Sequence, residues 1–438
     1  MDNYITKSFT HEEIENDLIR NVSWSKNSKI WLSFLFISLA VCLYFYFFQI
    51  RDGLGVTGLH DFASWGIYIS NFVFFVAVSL IGMLVSSVLG LAGVKWVKPL
   101  SRIAEIVAVS FALIAGVVII TDMGRPDRFL TVFIYGRVQS PIVWDIAVVT
   151  TYVFVSLILL YIPLIPDLDL CQKKLTGLPN LQRKIYKILS LGWANKPEQF
   201  KIVKKLTKIV SVAIIPIALA IHTVTSWLFA LTLRPGWDSS IFGPYFVAGA
   251  FVAGTATFIM MTYYYRQRYN LHDYITDYHF HKMGQLLVLV SLVYIYFNVN
   301  EVLVPGYKPG SVSAQHTKEL VGGHESLFYW VVQLGGMVIP FLLLFFKQMR
   351  KPLPLTIISL FVFVGAWLKR FIIVVPTQLE PYLPIQNVPE KYFSYVPTVA
   401  EIAITILPFI LVLIIMTFLS KVIPLVPIWE MKEEQNEK

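Results

Sequence analysis

Ten stretches of this chain are apolar for long enough to cross a lipid bilayer, and that feature excludes almost every soluble fold. They lie near 30–50, 66–91, 103–121, 142–163, 209–231, 244–264, 284–304, 327–346, 354–375 and 398–420. About 20 apolar residues cross the hydrocarbon as a helix. In lipid the backbone must satisfy its own hydrogen bonds, and for runs of this length the helix does so. Composition agrees: 56% of the 438 residues are hydrophobic and 14% are charged, whereas soluble domains carry about 25% charged residues. The expected fold is all-α, a polytopic bundle of about ten transmembrane helices over 30–420. An N-terminal segment, 1–29, precedes it and a C-terminal tail, 421–438, follows.

An even number of crossings puts both termini on one side. The loops on that side hold 26 of the 36 Lys and Arg residues, so the positive-inside rule predicts cytoplasmic termini in a cell inner membrane protein. Leaving out the long basic loop 164–208, the balance is still 16 to 10. That loop is expected either to lie on the inner leaflet or to be a solvated connector. The net charge of +9 is explained by these loops and by contact with membrane lipid, and nucleic acid is not an expected partner. Thr10 before Glu12 and Glu13 predicts a capped surface helix in "THEEIENDLI". No cleavable signal peptide is expected.

Two cysteines, Cys42 and Cys171, cannot ligate an iron–sulfur cluster within this chain or build a Cys-rich zinc site. A bis-histidine haem would need two histidines facing each other inside the bundle. Only His222 falls within an apolar run; His272, His279, His281, His316 and His324 fall in predicted loops. No haem, cluster or metal site is therefore expected.

Ionisable residues in a bilayer are costly and mark pathways by default. Here they gather toward the outer ends of the runs: Asp122, Asp145, Arg234, Glu301 and Glu401, with Lys369 and Arg370 about two turns inside the ninth. His60, Asp61, Arg125, Asp127 and Arg128 lie in outer loops. The inner half has little beyond Glu105. Any one of these could be an interfacial charge snorkelling to the headgroups. Lys369 and Arg370 are harder to dismiss, because adjacent helical residues point about 100° apart and one must face protein. Its expected partner is Asp145, Glu301 or Glu401. Together these groups predict a pocket or proton path opening outward. His222, Thr225 and Ser226 share one helical face, and there a proton relay competes with a structural bond between helices.

Six stretches, in order, resemble the NrfD/PsrC family of membrane subunits that handle quinone in redox complexes. They are "WGIYISNFVFFVAVS" (65–79), "TDMGRPDRF" (121–129), "SPIVWDIAVVTTY" (140–152), "IHTVTSWLFALTLRPGW" (221–237), "PYFVAGAFVAGTA" (244–256) and "WLKRFIIVVP" (367–376). The likeness covers about residues 55–380. Ten helices are similar to the longer branch of the family, found in sulfur-metabolism complexes and alternative complex III. "VAVSLIGML" (76–84) lacks the His-Ala-Gly of some alternative-complex-III members. That weighs against membership of that branch and against a continuous proton channel.

The resemblance implies two four-helix bundles with flanking helices and no cofactor bound in this chain. Quinone, menaquinone above all, would be an exchangeable substrate near the outer surface. A peripheral ferredoxin-like 4Fe-4S subunit would dock there, with a multihaem cytochrome c or molybdopterin subunit as further candidates. The residues expected to border the quinone are His60, Trp65, Tyr68, Asn71, Arg125, Ser140, Trp144 and Arg234. Those expected to move protons are Asp145, His222, Asp122, Glu301, Lys369 and Arg370. The rival expectation is a secondary transporter, with broken helices around a midplane site and Pro216 as one such break.

Overall fold

The computed structural model describes residues 10–175, 177–232, 234–237, 239–308, 310–323, 326–380 and 387–436; the side chains of 391 and 436 are left out. Every long element is helical, with no strand among the described residues. Among the described residues, ten helices have the length and hydropathy to cross a membrane: Lys26–Asp52, Ile67–Leu89, Lys95–Asp122, Pro141–Lys174, Pro197–Ala230, Phe242–Arg268, Asp277–Gly306, Ser326–Leu343, Pro352–Leu379 and Val399–Val422. They are called spans one to ten. The chain is a polytopic membrane protein.

Proline opens spans four, five and nine at Pro141, Pro197 and Pro352, where its fixed φ suits a first turn and its missing N–H is no loss. Span five starts twelve residues before its apolar run, because "PEQFKIVKKLTK" has good helix formers and continues the helix into water. Pro216 lies inside this unbroken helix, so the break expected of a transporter is absent there. His279 and His281 fall in the first turns of span seven rather than in a loop. His316 is buried on an additional helix, Val312–Gly322. Those two placements correct the loop assignment made from hydropathy alone.

Spans two to five pack around one another, as do spans six to nine. Span six joins the two bundles by packing on spans two and five, and spans one and ten flank the first bundle. The expected pair of four-helix bundles is therefore present. Burial follows position: 83% of the apolar window of span two is buried, against 11% in span one. Span two is central, and span one turns most of its side chains to lipid.

Spans eight and nine meet through glycine. A Cβ on Gly365 would lie 2.3 Å from the Cα of Gly336, a backbone contact that no rotamer change relieves. Small residues allow such close approach, which drives helix association in membranes. Gly365→Ala is expected to cost about 1–3 kcal/mol by overpacking. The check is a lower melting temperature of the purified protein.

Both chain ends are sewn to the same end of the bundle, here the terminal end. The predicted capping box forms, with Thr10 accepting from the N–H of Glu13. Asn21 Nδ2 donates to the carbonyls of Ser420 and Ile423 at 2.7 and 2.9 Å. Glu15 pairs with both Lys174 and Lys432. Asp167 accepts from Arg102 at 2.5 Å and from the N–H groups of Ile428 and Trp429, each at 3.2 Å. The loop between spans four and five adds a surface helix, Asn180–Leu189, that exposes Leu181 and Ile188, as a leaflet-lying segment would.

Candidate functional site

At the far end of the bundle, remote from both termini, the polar residues form several distinct groups. The largest belongs to the second bundle. Tyr294, Asn298 and Glu301 recur at i, i+4 and i+7 on span seven, so they share one face. Lys369 Nζ donates to Glu301 Oε2 at 2.7 Å, and Tyr245 Oη donates to the same oxygen at 3.0 Å. Tyr245 also lies 3.1 Å from Asn298 Oδ1, which Gln333 approaches at 3.5 Å. Of the three carboxylates expected to answer the buried cations, Glu301 is the one that does.

Arg370, the next residue, donates to Tyr294 Oη at 3.1 Å. It is 3% exposed and has no carboxylate partner among the described residues. Its place is made by Gly249, where a Cβ would stand 2.7 Å from Nη2. The group carries two cations to one anion, buried among three tyrosines. A buried unpaired cation favours an electron-rich oxygen beside it.

Glu301 lies on the wall of a cavity of 240 Å³ lined also by Tyr245, Phe242, Gly236, Lys308 and Ser311. A smaller void of 30 Å³ joins Glu301 to His316, Tyr329 and Thr377. His316 Nδ1 is 3.2 Å from Glu380. A third void, 10 Å³, lies beyond Lys369 against Tyr294 and Gln333. The smaller two have room for about one or two waters. Glu301 thus stands between an open cavity and a line of polar groups leading inward.

A second group belongs to the first bundle. Thr225 Oγ1 donates to Asp145 Oδ1 at 2.5 Å. His222, one turn earlier, places Nδ1 3.2 Å from the carbonyl of Ala218 and leaves buried Nε2 with no partner among the described residues. Ser226 turns back to the carbonyl of Thr223. So Thr225 makes the bond between helices, and His222 keeps a ring nitrogen free. This group shares no hydrogen bond with the Glu301 group.

The third group surrounds the start of span two. Gln378 accepts from the N–H of Trp65 at 2.9 Å and donates to its carbonyl at 2.7 Å. Trp65 then stacks on Trp237 at 5.7 Å. Arg234 reaches the carbonyl of Gln378 at 3.4 Å. Tyr68 is buried and donates to Gln49 at 2.7 Å, so it is no interfacial belt residue. Asn71 donates to the carbonyl of Thr405 and accepts from Trp367 Nε1 at 2.6 Å; both ends of its amide are engaged within the bundle. His60 stacks on Tyr392 at 5.0 Å. Glu401 accepts from Tyr395 Oη and from the N–H of Gly58, each at 2.7 Å. Burial, with Glu401 beside it, pushes the Tyr395 hydroxyl well above its usual range and keeps it a donor. Asp122 leaves one buried oxygen without a partner among the described residues.

The remaining predicted residues lie apart. Arg125 is exposed and forks onto Asp127, holding that carboxyl below its usual range. Ser140 starts span four without capping it through its side chain. Trp144 donates to the carbonyl of Val138 and meets Trp227 edge-on. Tyr245, Tyr294, Asn298, Gln333 and Gln378 escaped the sequence reading, which weighed formal charge. The periodic polar face of span seven was the available signal.

The model of the family described as Polysulphide reductase, NrfD, matches residues 55–381. The chain belongs to the NrfD family. Relatives extend over most of its length. A selenate reductase subunit of Mesobacillus selenatarsenatis is 23% identical over 93% of this chain and 95% of its own. A putative dimethyl sulfoxide reductase membrane subunit of Halobacterium salinarum is 28% identical over 73% of this chain and 70% of its own. An Hdr-like menaquinol oxidoreductase integral membrane subunit of Archaeoglobus fulgidus is 20% identical, covering 84% and 86%.

Proposed function

We propose that this NrfD-family chain is the membrane subunit of a multi-subunit redox complex. It would exchange electrons between the quinone pool and a peripheral iron–sulfur partner docked at the far end. The relatives named as a putative dimethyl sulfoxide reductase membrane subunit and as a menaquinol oxidoreductase integral membrane subunit support the coarse reading. The observation that carries the site is Glu301, held by Lys369 and Tyr245 on the wall of the 240 Å³ cavity.

Quinol oxidation releases two electrons and two protons, and quinone reduction takes them up. A ring in this cavity would place one oxygen against Glu301, which accepts or returns one proton, while the second passes between the ring's other oxygen and water at the open mouth of the cavity. Lys369 and Tyr245 hold the carboxylate in one orientation for that transfer. Lys369, 2.7 Å from Glu301, favours the oxygen as it gains electron density, and Arg370 holds Tyr294 one step further from the cavity. Phe242, Tyr245, Ile241 and Val304 give the ring an apolar side to pack on, as a hydrophobic ligand requires. Electrons leave or enter through the partner. Asp145 with Thr225, and His222 with its free Nε2, are read as a second protonatable station in the first bundle.

Purification tests this directly. The chain is expected to bring with it a cluster-bearing protein whose absorbance bleaches when a menaquinol analogue is added. Purification alone, together with solute flux in proteoliposomes, would refute the reading in favour of a transporter. Asp145→Asn keeps an acceptor for Thr225 but cannot exchange a proton at pH 7. We expect quinol-linked turnover to fall about ten-fold, below the range usual for direct acid–base groups, with KM unchanged. Unaltered turnover would leave Asp145 a structural residue.

A further inference from the structure

A separate cavity of 420 Å³ opens at the terminal end, where spans one, six and ten converge. Its wall is apolar and aromatic, with Trp31, Met260, Tyr264 and Tyr269 among the lining groups. Arg268 and Lys421 also line it, and no carboxylate does among the described residues. Lys421 is 4% exposed, yet its ammonium meets only the Asn21 carbonyl at 3.4 Å and the Tyr269 ring at 4.6 Å. Arg268 lies over the same ring at 5.7 Å and reaches Ser25 Oγ at 3.4 Å.

Two cations on one aromatic ring, one of them buried, are costly unless an anion answers them. The described residues supply none there. The groove lies at the helix ends, at headgroup depth, and at its edge Trp31 stacks at 5.8 Å on Phe34, which is exposed on the lipid-facing side of span one. An anion with long apolar chains fits both halves. We infer that this groove binds an anionic phospholipid, its phosphodiester between Arg268 and Lys421 and an acyl chain along Trp31 and Met260. Inorganic phosphate would leave the apolar wall uncovered. A quinone ring would find no carboxylate to exchange its protons.

The test uses the full chain, delipidated in detergent and titrated with phosphatidylglycerol, phosphatidylcholine or inorganic phosphate. Native mass spectrometry and melting temperature are the readouts. Phosphatidylglycerol is expected to persist as a one-to-one adduct and raise the melting temperature by several degrees, while the other two do neither. Each cation removed should weaken retention about five-fold, so Arg268→Gln shows one step and Arg268→Gln with Lys421→Gln shows two. Arg268 is exposed and its variant should fold, so it decides the matter if the double variant does not. Equal retention of both lipids, a full shift from inorganic phosphate alone, displacement by a menaquinone analogue, or unaltered retention in Arg268→Gln would each overturn the proposal.

Discussion

Glu301→Gln is expected to lower quinol-linked electron transfer on the order of 10²-fold, the lower end for losing a general acid or base. The amide can still accept from Tyr245 and Lys369 at the distances now spanned by the carboxylate. Shape and polarity therefore persist while the exchangeable proton is lost. The substitution leaves Lys369 buried without its counter-charge, which costs stability by a separate route. Adding Lys369→Met to Glu301→Gln removes that stranded cation. We expect the double variant to recover melting temperature and to recover no turnover. Both readouts returning together would mean that Glu301 serves only the ion pair. Turnover close to the parent in Glu301→Gln itself would move the proton-exchanging group elsewhere, with Asp145 the next to test.

Arg102→Met is the second large effect, at the opposite end of the molecule. Arg102 and Asp167 have 0% and 1% of their side chains exposed and lie 2.5 Å apart. Arg102 also donates to the carbonyl of Pro163 at 3.0 Å. Breaking a buried pair by removing one member typically costs about 3–5 kcal/mol, because the other charge is stranded. Arg102 fixes the Asp167 carboxylate that anchors the N–H groups of Ile428 and Trp429, so once Asp167 is free to move, the helix Ile428–Asn436 should loosen before the bundle does. Limited proteolysis should therefore cut the C-terminal segment earlier in the variant, with a lowered melting temperature. Arg102→Met together with Asp167→Leu should regain part of the loss. Identical protease resistance in parent and variant would refute this account of the contact.

The helices were legible from the sequence because each had to be apolar over a full bilayer crossing. The ends were less so. Span five runs back to Pro197 because a helix can leave the membrane without ending, and hydropathy does not register that. That Lys369 or Arg370 would need a buried carboxylate or polar partner was legible, since a cation inside the bundle demands one. Which of the two would take the carboxylate, and which of three carboxylates it would be, was not, because depth along a helix does not fix its rotation. The neutral partners were hidden for a different reason. Asn298, Gln333 and Gln378 matter through geometry, and an amide on an apolar helix carries no sign of which bond it will make. Tyr68 and Asn71 show the converse: expected beside a carrier, they spend their polar atoms on Gln49, Thr405 and Trp367.

The first and last segments are clasped together at one pole, through Asn21 with Ser420 and Glu15 with Lys432. The opposite pole is consequently made of connectors alone. An affinity handle fused to either end would sit away from that pole and leave any neighbour there undisturbed. On the proposed function, exchanging connectors between members of the family would re-address the docking of a partner while the clasp, and with it the scaffold, stays intact.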